Sequence, residues 1–143
     1  MKIAVSACLL GQNCKYNGGN NFSQPLAEFL QGHTVLPICP EVLVFPTPRP
    51  RIERFGALVL DENGWDVSAL CREGVARCVA SLEGQGVDLV ILQSRSPTCG
   101  VKEIYDGTFS GVRIAGQGLL AEALSARGYR VMDVEDVPWK INS

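Results

Sequence analysis

Short apolar runs closed by loop-forming residues alternate along this chain with longer stretches whose apolar positions recur three and four apart. Ile3 to Ala7, Val35 to Ile38 and Val87 to Leu92 are brief, rich in Val, Ile and Leu, and bounded by loop formers. That is the pattern of strands covered on both faces. Between the first two, Ser23-Gln-Pro-Leu-Ala-Glu-Phe-Leu-Gln-Gly32 carries a Ser cap, a proline in the first turn and a closing glycine, which predicts a short crossover helix. A second helix is predicted from a cap at Asp66, with Val67, Leu70, Cys71, Gly74, Val75, Cys78, Val79 and Leu82 forming one apolar stripe. A third covers Gln117 to Ala126 and stops at Gly128, and Tyr129 to Val134 reads as the last strand. Ala57 to Leu60 followed by Asp61-Glu-Asn-Gly64 predicts a strand with a tight turn, and Ile104 to Phe109 predicts a turn at Asp106-Gly107.

Strands that alternate with helices predict an α/β fold, three-layered, with a mainly parallel sheet. Right-handed crossovers then bring successive strand ends to one rim, where such folds bind ligands. The 143 residues, 46% hydrophobic, are expected to form one domain over 1–143. A net charge of −2 with no basic run disfavours a nucleic acid polymer as partner and leaves a single base or nucleotide open. No run approaches the roughly 20 apolar residues that span a bilayer, and the first apolar stretch is too short for a secretory segment. A cytoplasmic protein without a membrane partner is expected. Thiols stay reduced in that compartment, so six cysteines point to metal or reactive chemistry more than to disulfides.

Three of the six stand where strands end: Cys8 in Ser-Ala-Cys-Leu-Leu-Gly, Cys39 in Ile-Cys-Pro-Glu, and Cys99 in Ser-Pro-Thr-Cys-Gly. The common rim would gather them, as metal ligands or as nucleophiles. Cys71 and Cys78 fall on the helix stripe and read as core; Cys14 lies in the loop after Cys8 and is a weaker candidate ligand. Structural zinc takes four ligands, often as close Cys pairs, and this chain has no Cys-x-x-Cys and a single histidine, His33, at the far end of its strand. Three thiolates without a fourth partner suit an iron-sulfur cluster with one iron open to a substrate atom.

Glu41, two residues after Cys39, would bring a carboxylate to the same crevice, where it could work as an acid or base on a bound water. Ser94 and Ser96 supply hydroxyls before Cys99. Asn17, in Lys15-Tyr-Asn-Gly-Gly, and Arg49, on the stiff Pro46-Thr-Pro-Arg-Pro, could read a carbonyl or an anion. Arg49 could equally pair with Glu41 or Glu53.

At Ser6-Ala-Cys-Leu-Leu-Gly-Gln-Asn-Cys-Lys-Tyr-Asn-Gly, Ile38-Cys-Pro-Glu-Val, Pro46-Thr-Pro-Arg-Pro, Ser94-Arg-Ser-Pro-Thr-Cys-Gly and Ile104-Tyr-Asp-Gly-Thr-Phe-Ser-Gly, the chain closely resembles a family long known as domain of unknown function 523. Its members include the bacterial thiouracil desulfidases. The resemblance implies a Rossmann-like domain holding a [4Fe-4S] cluster through Cys8, Cys39 and Cys99. It further implies a small-molecule substrate, a thiolated base or nucleoside, whose sulfur is replaced by water without net redox change. The family's catalytic Glu corresponds to Glu41, and its Ser to Ser96, with Ser94 as the alternate. The chain departs from the family's pattern at Val44-Phe45, where members carry glycines, and two bulky side chains are expected beside the pocket. The competing readings are a non-catalytic module that binds a cluster or small ligand, and a metal-free cysteine hydrolase, which a lone, distant His33 serves poorly.

Overall fold

The computed structural model describes residues 1–137; residues 138–143 of the expected single unit lie outside the described residues. Four parallel strands form the central sheet in the order β2-β1-β5-β8: β2 is Thr34–Ile38, β1 Lys2–Ser6, β5 Leu89–Leu92 and β8 Val131–Asp133. Alternation along the strands gives each face its own core. Ile3, Val5, Leu89 and Ile91 pack against Leu26 and Leu30 of α1, Gln24–Leu30. Ala4, Val90 and Leu92 pack against α2, Ser68–Leu82, and α3, Leu119–Ala126. The three-layered, mainly parallel α/β arrangement is the one expected.

Local chemistry sets most element ends. Ser23 caps α1, its side chain accepting from the Leu26 amide. The second helix begins at Ser68, later than the Asp66 cap implies, because Asp66 spends its carboxylate on the Ser68 amide at 2.9 Å in a tight turn before the helix. The Ser68 side chain first, and this amide bond after it, hold the exposed Asp66 carboxyl below its ordinary value. Cys71, Cys78 and their stripe are buried as expected, but Leu70 turns outward, 43% exposed. The third helix starts at Leu119, and the last strand is shorter than expected because Val134 enters a 3-10 turn.

Two antiparallel hairpins lie outside the sheet. β3, Ile52–Phe55, pairs with β4, Leu58–Asp61, and β6, Glu103–Tyr105, pairs with β7, Arg113–Ala115. Asp106 closes the second as expected, accepting from the Thr108 amide. The first connection from β1 runs to one side of the sheet, to β2, and the later ones run to the other, to β5 and β8. The carboxyl ends of β1 and β5 therefore flank the point where the winding reverses, and a crevice opens there.

Two glycines let helix backbone touch the rim loops. A Cβ on Gly74 of α2 would stand 2.1 Å from the Pro40 carbonyl oxygen, and one on Gly118, just before α3, 2.4 Å from the Thr98 carbonyl carbon. Gly74→Ala is expected to cost about 1–3 kcal/mol by forcing α2 off the Cys39-Pro40-Glu41 loop. Thermal unfolding should record this as a drop of roughly 3–10 °C in Tm.

Candidate active site

Three loops leave the rim, and each is held by its own backbone bonds. After β1, residues Ala7–Leu10 form a 3-10 turn, and the chain returns so that the Asn21 amide donates to the Cys8 carbonyl at 2.9 Å. After β2, Cys39 and Pro40 lead into a turn in which the Val44 and Phe45 amides donate to the Glu41 carbonyl. After β5, Ser96 shapes the third loop, its Oγ accepting from the amides of Thr98 and Cys99 at 3.2 and 3.1 Å. The free amides at the start of α3 donate to the carbonyls of Pro97 and Thr98, which docks this loop on the helix.

The loops enclose a cleft of about 450 Å³ whose walls include Cys8, Cys39, Cys99, Cys14, Glu41 and Arg49. Burial pushes the Cys8 thiol up, against the opposing hydrogen bond from Asn21, whose Nδ2 is 3.5 Å from Cys8 Sγ. Cys99 is pushed up more strongly, also by burial, with Ser6 opposing and the charges of Cys39, Glu41 and Cys8 adding. Cys14 is raised to about 12 by burial and by Cys39 and Cys8. The thiols thus lie within electrostatic reach of one another. Raised thiols are poor nucleophiles, since the thiolate is the reactive form; metal ligation is what deprotonates such groups. Among the described residues no three His, Cys, Asp or Glu side chains converge closely enough for a single metal ion. Thiols delivered by three separate loops to one cleft are the donor type that iron-sulfur clusters take, so the donor set fits such a group.

Glu41 sits at the centre of a polar network. Arg49, 9% exposed, donates to Glu41 Oε1 from Nε at 3.3 Å and Nη2 at 3.2 Å. Its other N–H groups reach the Cys14 carbonyl at 2.7 Å, Thr47 Oγ1 at 2.9 Å and the Pro46 carbonyl at 3.4 Å. A guanidinium has five N–H donors, and these contacts occupy them all. On the other oxygen, Thr98 Oγ1 donates to Glu41 Oε2 at 2.8 Å and lies 3.1 Å from Ser96 Oγ. A hydroxyl has one proton to give, so when Thr98 gives it to Glu41 the donor in the Ser96–Thr98 bond is Ser96.

A family model described as 2-thiouracil desulfurase matches residues 3–136. The chain belongs to the 2-thiouracil desulfurase family. It is 36% identical over 146 residues to "Uncharacterized protein YbbK" of Bacillus subtilis (strain 168), covering 94% of this chain and 97% of that one. Its fold is similar to the solved structure of the [4Fe-4S]-dependent thiouracil desulfidase TudS, with a TM-score of 0.89 and 38% identity over 96% of this chain and 93% of that one.

In this member of the 2-thiouracil desulfurase family, the residues marked from sequence fall in different places. Cys8, Cys39, Cys99, Glu41, Arg49, Ser94 and Ser96 all line the cleft, and so does Cys14. Asn17 does not: it is exposed, and its Oδ1 accepts from the Gly19 amide at 2.9 Å, so the asparagine that reaches the cleft is Asn21. Arg49 pairs with Glu41, one of the alternatives open from sequence, and it has no donor left for a ligand. Val44 and Phe45 do not crowd the cleft as expected. Phe45 packs into the core beneath α2, and Val44 lies against Gly74. His33 stacks on Phe29, centroids 5.6 Å apart, away from the cleft.

Sequence reasoning passed over Thr98, Arg51 and Tyr105 and weighed Glu53 only as a partner for Arg49; all four line the cleft. Thr98 lay inside the Ser-Pro-Thr-Cys motif and could have been weighed with its serines. Arg51 and Glu53 carried the signal of two charged residues with strand spacing on one face.

Arg49→Met should destabilise the fold by about 3–5 kcal/mol in urea unfolding, because it strands a mostly buried carboxylate. Adding Glu41→Gln should recover part of that loss; equal loss in the single and double variants would show that the stranded charge is not the cause.

Proposed function

We propose that this protein is a cluster-dependent desulfidase that converts a thiolated pyrimidine, as free base or nucleoside, to its oxo form and releases sulfide. The observation that carries the reading is that Cys8, Cys39, Cys99 and Glu41 line a single cleft at the strand ends. Family membership and the likeness to TudS support it. Cys8, Cys39 and Cys99 would hold a [4Fe-4S] cluster, and when bound that group supplies a soft Lewis acid suited to a thiocarbonyl sulfur.

The chain's own groups manage the water and its protons. Water oxygen bonds to the thiocarbonyl carbon, the carbon–sulfur bond breaks, and the sulfur leaves as sulfide, so no electrons are gained or lost. Glu41 acts as the acid/base, taking a proton from the attacking water. Arg49 and Thr98 hold its two oxygens, which removes the freedom to turn away from the reacting carbon. Ser96, hydrogen-bonded to Thr98, offers the hydroxyl nearest this network, and Ser94 lines the cleft beside it. Cys14 lines the same cleft and, outside the three strand-end positions, is not assigned as a ligand on this reading. The six cysteines are unpaired, which accords with a reducing cytoplasmic setting, and no helix among the described residues is long and apolar enough to cross a membrane.

Anaerobically reconstituted wild-type protein should bind about four iron atoms per chain and absorb broadly near 400 nm, a range typical of such clusters. It should also release sulfide from 2-thiouracil. Alanine at Cys8, Cys39 or Cys99 should abolish stable iron binding, whereas Cys14→Ala should keep it. Glu41→Gln should retain iron and lose about 10²–10⁴-fold in sulfide release, the usual worth of a positioned acid or base. A fully loaded wild-type protein that releases no sulfide from any thiouracil would favour the binding-module reading instead.

Thr98→Val should keep the fold and the iron and lower kcat more than it raises KM, because it keeps the side chain's shape and removes the hydroxyl that links Ser96 to Glu41 Oε2. Thr98→Ser should restore most of the rate; failure of that rescue would assign Thr98 to packing.

A further inference from the structure

A second carboxylate enters the cleft from the first hairpin, and nothing in the chemistry above uses it. Glu53 of β3 is 7% exposed and lines the cleft. Its Oε1 accepts from the amides of Gly107 and Phe109, both at 3.1 Å, and so fastens the loop between β6 and β7. Its Oε2 has no hydrogen-bond partner among the described residues, yet it is not among the side-chain oxygens sealed from open space. No Lys or Arg of the described residues lies within ion-pair distance of it.

An ionised carboxylate oxygen can only accept, and a buried one without a donor is costly. The loop amides satisfy one oxygen of Glu53; the other is left to accept from water or from a donor that enters the cleft. Arg51, two residues earlier on the same face, also lines the cleft. Its guanidinium is steadied by Glu62 at 3.2 Å and by the Phe109 ring, whose centroid is 5.7 Å away. An acceptor and a donor thus both line the cleft, the two functions that a ring N–H next to a carbonyl calls for.

We propose that Glu53 is the specificity-determining residue of this site, accepting a ring N–H of the substrate through Oε2. The substrates are therefore thiolated heterocycles that keep a free N–H beside the reacting carbon. This rests on the desulfidase reading of the cleft and adds to it the group that tells one thiolated ring from another. A site built to accept a hydrogen bond discriminates strongly against a ligand that cannot donate it, because its own polar group is left unpaired.

Glu53→Gln tests this with little change of shape. Its amide oxygen can still take the Gly107 and Phe109 amides, while the free end becomes an N–H₂ donor and faces the ligand's donor. The probes are 2-thiouracil with its 1-methyl and 3-methyl derivatives for sulfide release, and uracil with the same two derivatives for calorimetric binding to the loaded protein. Melting curves confirm folding. Wild-type protein should lose about tenfold or more, in kcat/KM and in affinity, on methylation of one of the two nitrogens. Glu53→Gln should show that loss with the unmethylated ring and no further loss on methylation. Equal handling of all the rings by both proteins, or no measurable uracil binding, overturns the assignment of Glu53. Absence of sulfide release by the wild type overturns the desulfidase reading separately, and the binding series still decides for or against Glu53.

Discussion

The buried ion pair between Glu41 and Arg49 is the node on which the rim depends. Glu41 arrives from the end of β2 and Arg49 from the proline-rich segment after it. Through its other donors and its backbone amide, Arg49 reaches the carbonyls of Cys14 and Tyr16 in the loop after β1. Thr98, in the loop after β5, closes the network on the second oxygen of Glu41. Every loop that carries a cleft cysteine is therefore tied to one carboxylate. Desolvating two charges is expensive, and such a pair is retained only where each remaining lone pair and proton finds a partner. Here all five donors of Arg49 are taken and both oxygens of Glu41 are held, Oε2 by Thr98 alone and so with a lone pair left for a proton, which turns a costly burial into a rigid mount.

Rigidity matters because the thiols are held against their own preference. Burial raises Cys8, Cys14 and Cys99, so without a metal these three thiols are disfavoured as nucleophiles. The donors that oppose this, Asn21 at Cys8 and Ser6 at Cys99, are the kind of outer groups that orient and stabilise ligand thiolates. Ser6 is itself fixed, its Oγ accepting from the Gln93 amide at 3.0 Å across the β1–β5 boundary. The same boundary where the winding reverses thus supplies the crevice and holds the hydroxyl that faces Cys99.

The sequence made the sheet legible because burial on both faces leaves a plain signal, continuous Val, Ile and Leu runs ended by Pro, Gly or Ser. It made the cysteines legible through the topology: once the strands are parallel, Cys8, Cys39 and Cys99 must meet. Element ends were harder. Asp66 and a cap share the same sequence signature, and only the tertiary path shows that the carboxylate closes a turn before α2 instead of capping it. Asn17 was misleading for a related reason, since a short amide side chain in a glycine-rich loop satisfies its own turn more readily than a ligand. Thr98 and Glu53 were opaque because their roles come from contacts with residues 57 and 54 positions away, respectively, and no local pattern encodes such a distance.

The two carboxylates of the cleft divide its work by origin. Glu41 belongs to the doubly wound core, where both oxygens are committed and helix backbone presses on the loop that bears it. Glu53 belongs to a hairpin outside that sheet and keeps one oxygen uncommitted. Chemistry that needs fixed geometry is thus mounted on the sheet rim, while recognition is mounted on elements whose pairing the core does not dictate. Substitutions around β3, β6 and their loops can change which ring is accepted without moving Cys8, Cys39, Cys99 or Glu41. A fold arranged this way can keep one reaction and vary its substrates, because the constraint that aligns the reacting groups does not pass through the hairpins.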